Sequence, residues 1–327
     1  MADLGQRTAA GGAIAIGAQV VRLVLRLAAA VVMARLLAPE DFGLVAMATT
    51  VTAFVGIFTD LGLSAATVQR KEIDHDTVSA LFYVNLATGA LLMLATIAAA
   101  PIAAWGFGDE RVSSVVIALA ATIPLVAASA QHNALLQRGM RWMTIQWTGI
   151  AAQAAGAAVG ILLAWRTDAG YWALVAQAWA AALAGLVLVW IACPWRPGRV
   201  ANWAGARSAL SFGLNLTGFN LLNYFHRQFD NVLVGWRWGA TDLGYYTRAY
   251  MLFMLPLTGI VWPVAAAVIP AMSRLQHEPE RWRRLYLTSI AGLMVITAPL
   301  SGLLVLFAEP LVLTLFGAQW APSAPIF

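Results

Sequence analysis

Long apolar stretches separated by short loops constrain the fold of this chain more than any other feature. A membrane-spanning helix needs about 20 largely apolar residues, and it satisfies its backbone polar groups within the segment. The nine stretches that meet this requirement are Ala13–Ala34, Phe42–Leu63, Val78–Ala104, Val112–Ala130, Met143–Trp165, Tyr171–Cys193, Ala209–Val234, Tyr245–Met272 and Leu285–Phe307. The tail from Glu309 to Phe327 begins a tenth. We therefore predict an all-α integral membrane protein.

Composition agrees with a membrane location and excludes several other classes of protein. The chain is 61% hydrophobic and 11% charged, whereas soluble domains carry roughly 25% charged residues. Its basic residues are scattered over short loops and form no aromatic-interleaved stripe, so we expect no nucleic-acid partner. The single cysteine, Cys193, has no metal-ligand spacing around it. We read it as a small buried apolar side chain and predict neither a metal site nor a cofactor.

The distribution of basic residues predicts the orientation in the membrane. Twelve lie at the N-terminus or in alternate loops: Arg7, Arg70, Lys71, Arg138, Arg141, Arg196, Arg199, Arg207, Arg274, Arg281, Arg283 and Arg284. Four lie in the opposite loops: Arg35, Arg111, Arg166 and Arg237. The side that is richer in Arg and Lys normally faces the cytoplasm, which predicts a cytoplasmic N-terminus.

Identical residues recur at an offset of 201 positions without a gap. The matched pairs are Gly12/Gly213, Gly17/Gly218, Arg26/Arg227, Val31/Val232, Asp41/Asp242, Gly43/Gly244 and Ala48/Ala249. Six predicted spans separate the two copies, so both copies have the same orientation and predict two parallel lobes. We place a six-helix lobe at residues 1–193, a cytoplasmic linker at 194–208 and a partial second lobe at 209–327. On this reading the second lobe is incomplete, because the chain ends within the counterpart of its fourth helix.

Polar stripes mark the first helix of each lobe. Gln19, Arg22 and Arg26 share one helical face, and the stripe in the second copy holds Asn220, Asn223 and Arg227. A charge in hydrocarbon costs several kcal/mol, so it normally faces a protected, watery interior. We expect these six residues to line a substrate cavity. Two alternatives remain, in which the arginines fix packing by pairing with acids or extend their heads to the interface.

Acidic residues near these stripes are candidates for ion coupling. Asp230 follows Arg227 by three residues and is close enough to pair with it, and Asp60 ends the second span. Either carboxylate would suit a proton or cation cycle. A structural salt bridge with Arg227 is the favoured reading for Asp230, and an interface or helix-cap role is the favoured reading for Asp60. For Asp41 and Asp242, which precede helical stretches, we expect helix capping.

Prolines interrupt several of the predicted helices. Pro256, Pro263 and Pro270 recur at seven-residue intervals, and Pro124 and Pro299 lie inside other spans. Proline removes a backbone hydrogen bond and bends a helix. Such bends suit helices that enclose a cavity or hinge during alternating access.

Two stretches resemble a known family of transporters. Residues 223–250, which include His226-Arg-Gln-Phe-Asp230 and Leu243-Gly-Tyr-Tyr246, resemble the start of the second lobe in Wzx-type polysaccharide flippases. Residues 34–44 together with Asp60-Leu-Gly-Leu-Ser64 resemble the first lobe of the same family. These flippases belong to the multidrug/oligosaccharidyl-lipid/polysaccharide superfamily, and the likeness is greatest to colanic-acid and teichuronic-acid exporters.

The resemblance implies a fold, a function and a location. It implies two six-helix lobes around a V-shaped cavity in the bacterial inner membrane. It also implies translocation of undecaprenyl-pyrophosphate-linked oligosaccharide units to the periplasmic leaflet by alternating access. The implied partners are this lipid-linked substrate, membrane lipids, and the polysaccharide polymerase with its chain-length machinery. Arg22, Arg26 and Arg227 are the cations that would engage the pyrophosphate and anionic sugars, because guanidinium groups suit phosphate geometry.

Two other functions differ from this one in the residues that they require. A cation-coupled multidrug antiporter of the same superfamily would favour acidic cavity residues, whereas the predicted cavity is rich in arginine. A membrane-bound polymerase or glycosyltransferase would need catalytic acids, a metal site or a sizeable soluble loop, and the sequence contains no such pattern. We therefore expect a transporter and not an enzyme.

Overall fold

The computed structural model describes the backbone of residues 2–60, 62–70, 72–200 and 203–326, and the side chains of this range except 2–16, 204–221, 266 and 267. Its twelve α-helices are α1 (Ala2–Leu36), α2 (Pro39–Gly56), α3 (Leu63–Gln69), α4 (His75–Phe107), α5 (Arg111–Ala120), α6 (Ile123–Arg138), α7 (Trp142–Arg166), α8 (Tyr171–Ala192), α9 (Ala204–Phe253), α10 (Trp262–Arg274), α11 (Pro279–Leu306) and α12 (Ala308–Phe316). The described residues form no β-strand.

Helices of membrane-spanning length confirm the all-α membrane fold. Within the described residues, seven helical stretches are long and apolar enough to cross a bilayer: Gly17–Leu36, His75–Phe107, Arg111–Arg138, Trp142–Arg166, Tyr171–Ala192, Leu222–Arg274 and Pro279–Leu306. The longest stretch, Leu222–Arg274, contains the end of the predicted span Ala209–Val234 and the whole of Tyr245–Met272. Gly239 separates them with φ 86°, a conformation that glycine adopts without strain.

The second predicted span is not one continuous helix. The sequence predicts a helix over Phe42–Leu63, but α2 ends at Gly56, and the chain turns through Gly62 at φ 71° before α3. Asp60 explains the break, because its carboxylate accepts hydrogen bonds from the backbone N–H and the hydroxyl of Ser64. These bonds favour a new helix start over continuation of α2.

Some of the prolines coincide with irregularities, whereas Pro270 and Pro299 lie inside the continuous helices α10 and α11. The fourth predicted span divides into α5 and α6 immediately before Pro124. Upstream of Pro263, residues Leu257–Val261 form a π-helical turn, a common accommodation of a disturbed backbone ladder. The tail that the sequence assigns to a tenth span is divided at Gly317 into α12 and a 3₁₀ segment, Ala318–Ile326.

The structure comprises two compact units, residues 1–244 and 245–327. In the first, α7 packs on α8 through Gly156 and Gly160, where an added Cβ would lie within 2.8 Å of the neighbouring helix. In the second, Ser323 donates a hydrogen bond to the Tyr245 carbonyl over 3.1 Å. These units are defined by packing, and the boundary between them differs from the predicted linker at 194–208. The lobe boundary stays a prediction.

Within the first unit, the 201-residue repeat coincides with a pair of reciprocal contacts. Gly43 of α2 packs against the Ala240 carbonyl, and Gly244 packs against the Pro39 carbonyl. A Cβ added at either glycine would overlap with the opposing backbone. Because Gly244 and Ala240 are the repeat counterparts of Gly43 and Pro39, the two contacts are copies of each other. The organisation into two homologous lobes itself stays a prediction.

The predicted linker begins against α4. His75 Nε2 lies 3.1 Å from the Arg196 carbonyl, and the Gly198 N–H donates to the Ser79 hydroxyl over 3.0 Å. Cys193, just before the linker, is buried beside Leu136 and Val189, which confirms its predicted role as a packed apolar side chain.

Candidate substrate pocket

A pocket of about 450 Å³ lies inside the first unit, between α1, the turn before α3, and helices α6, α7 and α8. Its charged lining residues are Arg22 and Asp60. Its other polar lining residues are Ser64, Ser129, Asn133, Gln137 and Thr148. The pocket therefore brings together one cation and one carboxylate that the sequence assigned to different roles.

Arg22 reaches the pocket from α1 along the side of α7 that carries Gln146 and Gly149. Its Nη2 donates a hydrogen bond of 2.7 Å to Gln146 Oε1. One helical turn further on, a Cβ added at Gly149 would lie 2.8 Å from the same Nη2. Because Gly149 has no side chain, the Arg22 guanidinium can lie beside α7. The neutral side-chain amide of Gln146 orients it.

Asp60 is held by groups next to it in the chain. Its Oδ1 accepts hydrogen bonds from the Ser64 hydroxyl at 2.6 Å and from the Ser64 N–H at 3.1 Å. Among the described residues, Arg22 and Asp60 do not pair with each other or with another charged group. The pocket thus contains two opposite charges that are oriented by neutral partners.

The remaining polar residues offer mainly acceptor atoms to the pocket. Ser129 and Thr148 donate their hydroxyl hydrogens to backbone carbonyls of their own helices, which leaves their oxygen lone pairs available. Asn133 donates one amide hydrogen to the Ser129 carbonyl over 3.2 Å. Apolar lining from Val126, Ile145 and Leu186 completes the walls. The pocket can therefore contact a polar ligand and an apolar surface at once.

The other predicted cavity residues lie outside this pocket. Gln19, Arg26, Asn223 and Arg227 have exposed side chains, and the side chain of Asn220 lies outside the described residues. Asp230 is partly buried, and its Oδ1 accepts a hydrogen bond from the Asn231 N–H over 2.9 Å. The substrate role of the five stripe residues and the coupling roles of Asp230 and Asp60 stay predictions.

The site residues that were not predicted from the sequence are Gln146, Gly149 and the polar face of α6. Ser129, Asn133 and Gln137 recur at four-residue intervals, a spacing that places them on one helical face. This periodicity could have identified the polar face of α6 from the sequence alone. Gln146 and Gly149 carry no such signal, because their relation to Arg22 depends on how α1 crosses α7.

A second charged group, the Arg111 cluster, lies at the surface of the same unit and consists of Glu40, Asp109 and Arg111. Arg111 Nη2 contacts Glu40 Oε1 at 2.5 Å and Asp109 Oδ2 at 2.7 Å. The Arg111 side chain is 46% exposed. Its hydrogen bonds hold the pKa of Asp109 below the usual value. This cluster ties the start of α2 to the α4–α5 turn.

Asp41 acts at the start of α2, as predicted from the sequence. Its carboxylate accepts a hydrogen bond of 3.0 Å from the Ala38 N–H. Burial raises the pKa of Asp41, although hydrogen bonds from the Ala38 and Tyr171 backbones oppose the shift. Asp41 is therefore a structural residue at the contact between α2 and the start of α8.

Comparisons with known proteins place the chain among proteins of polysaccharide biosynthesis. A family model described as "Polysaccharide biosynthesis protein" matches residues 32–325. The succinoglycan biosynthesis transport protein ExoT of Rhizobium meliloti (strain 1021) is 28% identical over 90% of this chain and 60% of its own length. The teichuronic acid biosynthesis protein TuaB of Bacillus subtilis (strain 168) is 25% identical over 84% of this chain and 57% of its own length.

A third relative extends the match over almost the whole chain. The lipopolysaccharide biosynthesis protein WzxC of Escherichia coli (strain K12) is 23% identical over 99% of this chain and 66% of its own length. The chain thus spans about 60% of the length of the curated relatives that it matches. No solved structure matches it.

Proposed function

We propose that this chain, which belongs to the polysaccharide biosynthesis protein family, forms part of a flippase for lipid-linked oligosaccharides. The substrate is an undecaprenyl-pyrophosphate-linked repeat unit, which moves from the cytoplasmic to the periplasmic leaflet of the bacterial inner membrane. The observation that carries the proposal is an arginine, Arg22, that a membrane-spanning helix holds in a pocket together with Asp60 and five uncharged polar residues. The relative named as a succinoglycan biosynthesis transport protein supports it.

Arginines within spans provide the anion-binding groups of this mechanism. Arg22 and Arg26 lie in the span Gly17–Leu36, and Arg227 lies in the span Leu222–Arg274. Holding a charge at such depth costs several kcal/mol unless water or an opposite charge compensates it. An anionic substrate would add to that compensation. Guanidinium groups also bind phosphate oxygens in pairs.

Alternating access would use the irregular helices to expose the site to each side in turn. The break at Gly239 and the π-helical turn before Pro263 interrupt regular helix hydrogen bonding. Such positions absorb backbone changes at lower cost than an intact helix. On this proposal the N-terminus is cytoplasmic, Asp60 or Asp230 takes part in ion coupling, and the product passes to a polysaccharide polymerase and its chain-length machinery.

Replacement of the exposed stripe arginines tests the proposal. Arg26→Ala and Arg227→Ala are made in the complete gene product and expressed in its source strain after deletion of the native gene. We expect surface polysaccharide to fall at least tenfold while the amount of inserted protein is unchanged, because loss of a charged hydrogen bond costs roughly 1.5–3 kcal/mol. Arg166→Ala, at the end of α7, is the matched control, and Arg26→Lys should retain part of the output.

The outcomes separate the function from its residue assignment. Normal polysaccharide output from both alanine variants would remove Arg26 and Arg227 from the mechanism. Normal output after deletion of the gene, with drug efflux that follows its expression, would instead support the cation-coupled antiporter. The names of the matched relatives give that alternative no support.

A further inference from the structure

We infer that residues 194–200 form a strap that docks reversibly on the first unit, where a latch of aromatic rings around His132 holds it. The strap is the first part of the predicted linker, and its residues lie in no helix, strand or turn. Docking and release concern this segment and the helices beneath it. The part that release plays in transport rests on the proposed function.

Two hydrogen bonds and one apolar contact attach the strap to the helices beside it. His75 Nε2 lies 3.1 Å from the Arg196 carbonyl, and the Gly198 N–H donates to the Ser79 hydroxyl over 3.0 Å. Val200 packs against a buried cluster of side chains from α3 and α4. Since no helix includes the strap, these contacts can break without the unfolding of a helix.

The latch consists of Phe82 of α4, His132 of α6, Trp190 of α8 and Trp195 of the strap. The Trp195 ring lies edge-on to the His132 ring at a centroid distance of 5.1 Å and to the Phe82 ring at 6.0 Å. His132 in turn stacks on Trp190 at 4.4 Å. Aromatic rings in these arrangements attract each other. Trp195 therefore anchors the strap to three helices through one side chain.

The docked strap leaves polar atoms of the latch without partners. Both ring nitrogens of His132 and Nε1 of Trp195 are buried and have no hydrogen-bond partner among the described residues. The carbonyls of Ala128 and Trp195 come near the His132 ring, but they already accept hydrogen bonds from Trp190 and Arg196. A neutral imidazole also has only one N–H, so carbonyls cannot satisfy both of its nitrogens.

These unsatisfied atoms favour release of the strap. A buried polar atom without a partner costs free energy, which water recovers once the atom is exposed. The aromatic contacts favour docking. Because the two contributions oppose each other, the docked and released states lie closer in free energy than they would over a fully satisfied contact. A segment with two such states can respond to a change elsewhere in the protein.

The docked strap also covers the single cysteine of the chain. Cys193 is 5% exposed, and Trp195 packs against the cluster that Cys193 forms with Leu136 and Val189. Arg196 Nη1 donates to the Cys193 carbonyl over 2.8 Å, which fixes the first residues of the strap at the end of α8. Release of the strap would uncover the thiol, so Cys193 reports on the state of the strap.

Release would lengthen the connection to α9. With the strap docked, only residues 201–203 join it to α9, which begins at Ala204. A released strap adds seven residues, which span at most about 25 Å when extended. On the proposed function, the strap therefore limits how far the second predicted lobe can move during alternating access.

The rate at which a maleimide labels Cys193 in the purified chain, in detergent, tests the inference. Gly198→Ala should raise the rate about fivefold, because the new Cβ would lie 2.8 Å from His75 Cε1 and lift the strap. Gly198 is five residues from Cys193, so a faster reaction there reports movement of the whole strap. Gly106→Ala is the matched control, since its Cβ would meet nothing within 4 Å, and it should leave the rate unchanged.

His132→Phe should have the opposite effect and slow the labelling at least threefold. Phenylalanine keeps a ring in the latch and removes the nitrogens that have no partner, and such a replacement favours the buried state. A histidine that only supports the fold would give faster labelling when it is replaced. Thermal unfolding curves verify that each variant is folded.

The outcomes of this experiment do not depend on transport. The inference is overturned if Gly198→Ala labels no faster than Gly106→Ala, or if His132→Phe labels faster than the wild type. Failure of the flippase proposal would appear separately, as unchanged surface polysaccharide after deletion of the gene.

Discussion

Arg22 in the pocket and Arg111 in its surface cluster show two uses of arginine within one unit. Arg111 contacts two carboxylates and is half exposed to solvent. Arg22 contacts a neutral amide, and the nearby Asp60 is held by Ser64. In the first case the charges satisfy each other, whereas in the second they are kept apart. An arginine held by neutral groups can still form an ion pair with an anionic ligand. An arginine that is already paired with a carboxylate must first give up that partner.

The comparison also indicates how each region contributes to stability. Exposed ion pairs typically contribute about 0–1 kcal/mol, so the Arg111 cluster positions helices more than it stabilises them. In the pocket, Arg22 and Asp60 form no ion pair among the described residues, and a charge that lacks an ion pair within a membrane span lowers stability. A lower folding stability of this kind is common at sites where a protein binds its substrate.

Conversion of the neutral partner of Arg22 into a charged one should have the largest effect, because it removes the difference between Arg22 and Arg111. Gln146→Glu would give Arg22 an ion pair like that of Arg111. We expect thermal stability to rise, while polysaccharide output falls about tenfold, since an anionic substrate must then displace a carboxylate. Calorimetry and polysaccharide assays measure both effects. Gln153→Glu on the same helix adds the same charge as a control, and an equal loss there would contradict the explanation.

A smaller effect should follow from moving Arg22 without changing any charge. The new Cβ in Gly149→Ala would meet the end of a flexible side chain, so the guanidinium should shift while the fold is retained. We expect polysaccharide output to fall severalfold and the unfolding temperature to change little. Gly106→Ala is the control, because Gly106 lies in α4 outside the pocket and its Cβ would meet nothing within 4 Å. Equal effects of the two variants would rule out a positioning role for Gly149.

The smallest effect should come from the Arg111 cluster, and it should depend on pH. Since Arg111 lowers the pKa of Asp109 below 3.8, the cluster should stabilise the fold above pH 4 and lose this contribution as the pH falls through the lowered pKa. Arg111→Ala should cost at most about 1 kcal/mol at pH 7 and should reduce the stability loss on acidification. Thermal unfolding at pH 7 and pH 3 measures this. No effect on polysaccharide output is expected, and a large one would give the cluster a role beyond structure.

The sequence predicted the spans well because hydrophobic length and proline act locally. The span near Tyr171–Cys193 and the division before Pro124 both follow from composition along the chain. The break after α2 was not predicted, because a single carboxylate, Asp60, and the glycine at position 62 end the helix within an apolar stretch.

The candidate site was only partly predictable for a different reason. Arg22 and Asp60 stand out as charges in apolar sequence, and both line the pocket. Their neutral partners cannot be recognised from sequence, since glutamine and glycine in a helix have many uses. Arg22 and Gln146 are 124 residues apart in the sequence, so only the folded chain brings them together.

The reciprocal contacts of Gly43 and Gly244 bear on how such a chain could arise. In a symmetric homodimer, one surface patch faces its own copy, so each contact occurs twice. The packing of Gly43 on Ala240 and of Gly244 on Pro39 has this pattern within a single polypeptide. A half-length ancestor with one such glycine would have carried both sides of the contact. Joining two copies end to end would then have preserved an existing fit, and from that point each half could diverge separately, as the unlike residues Pro39 and Ala240 already have.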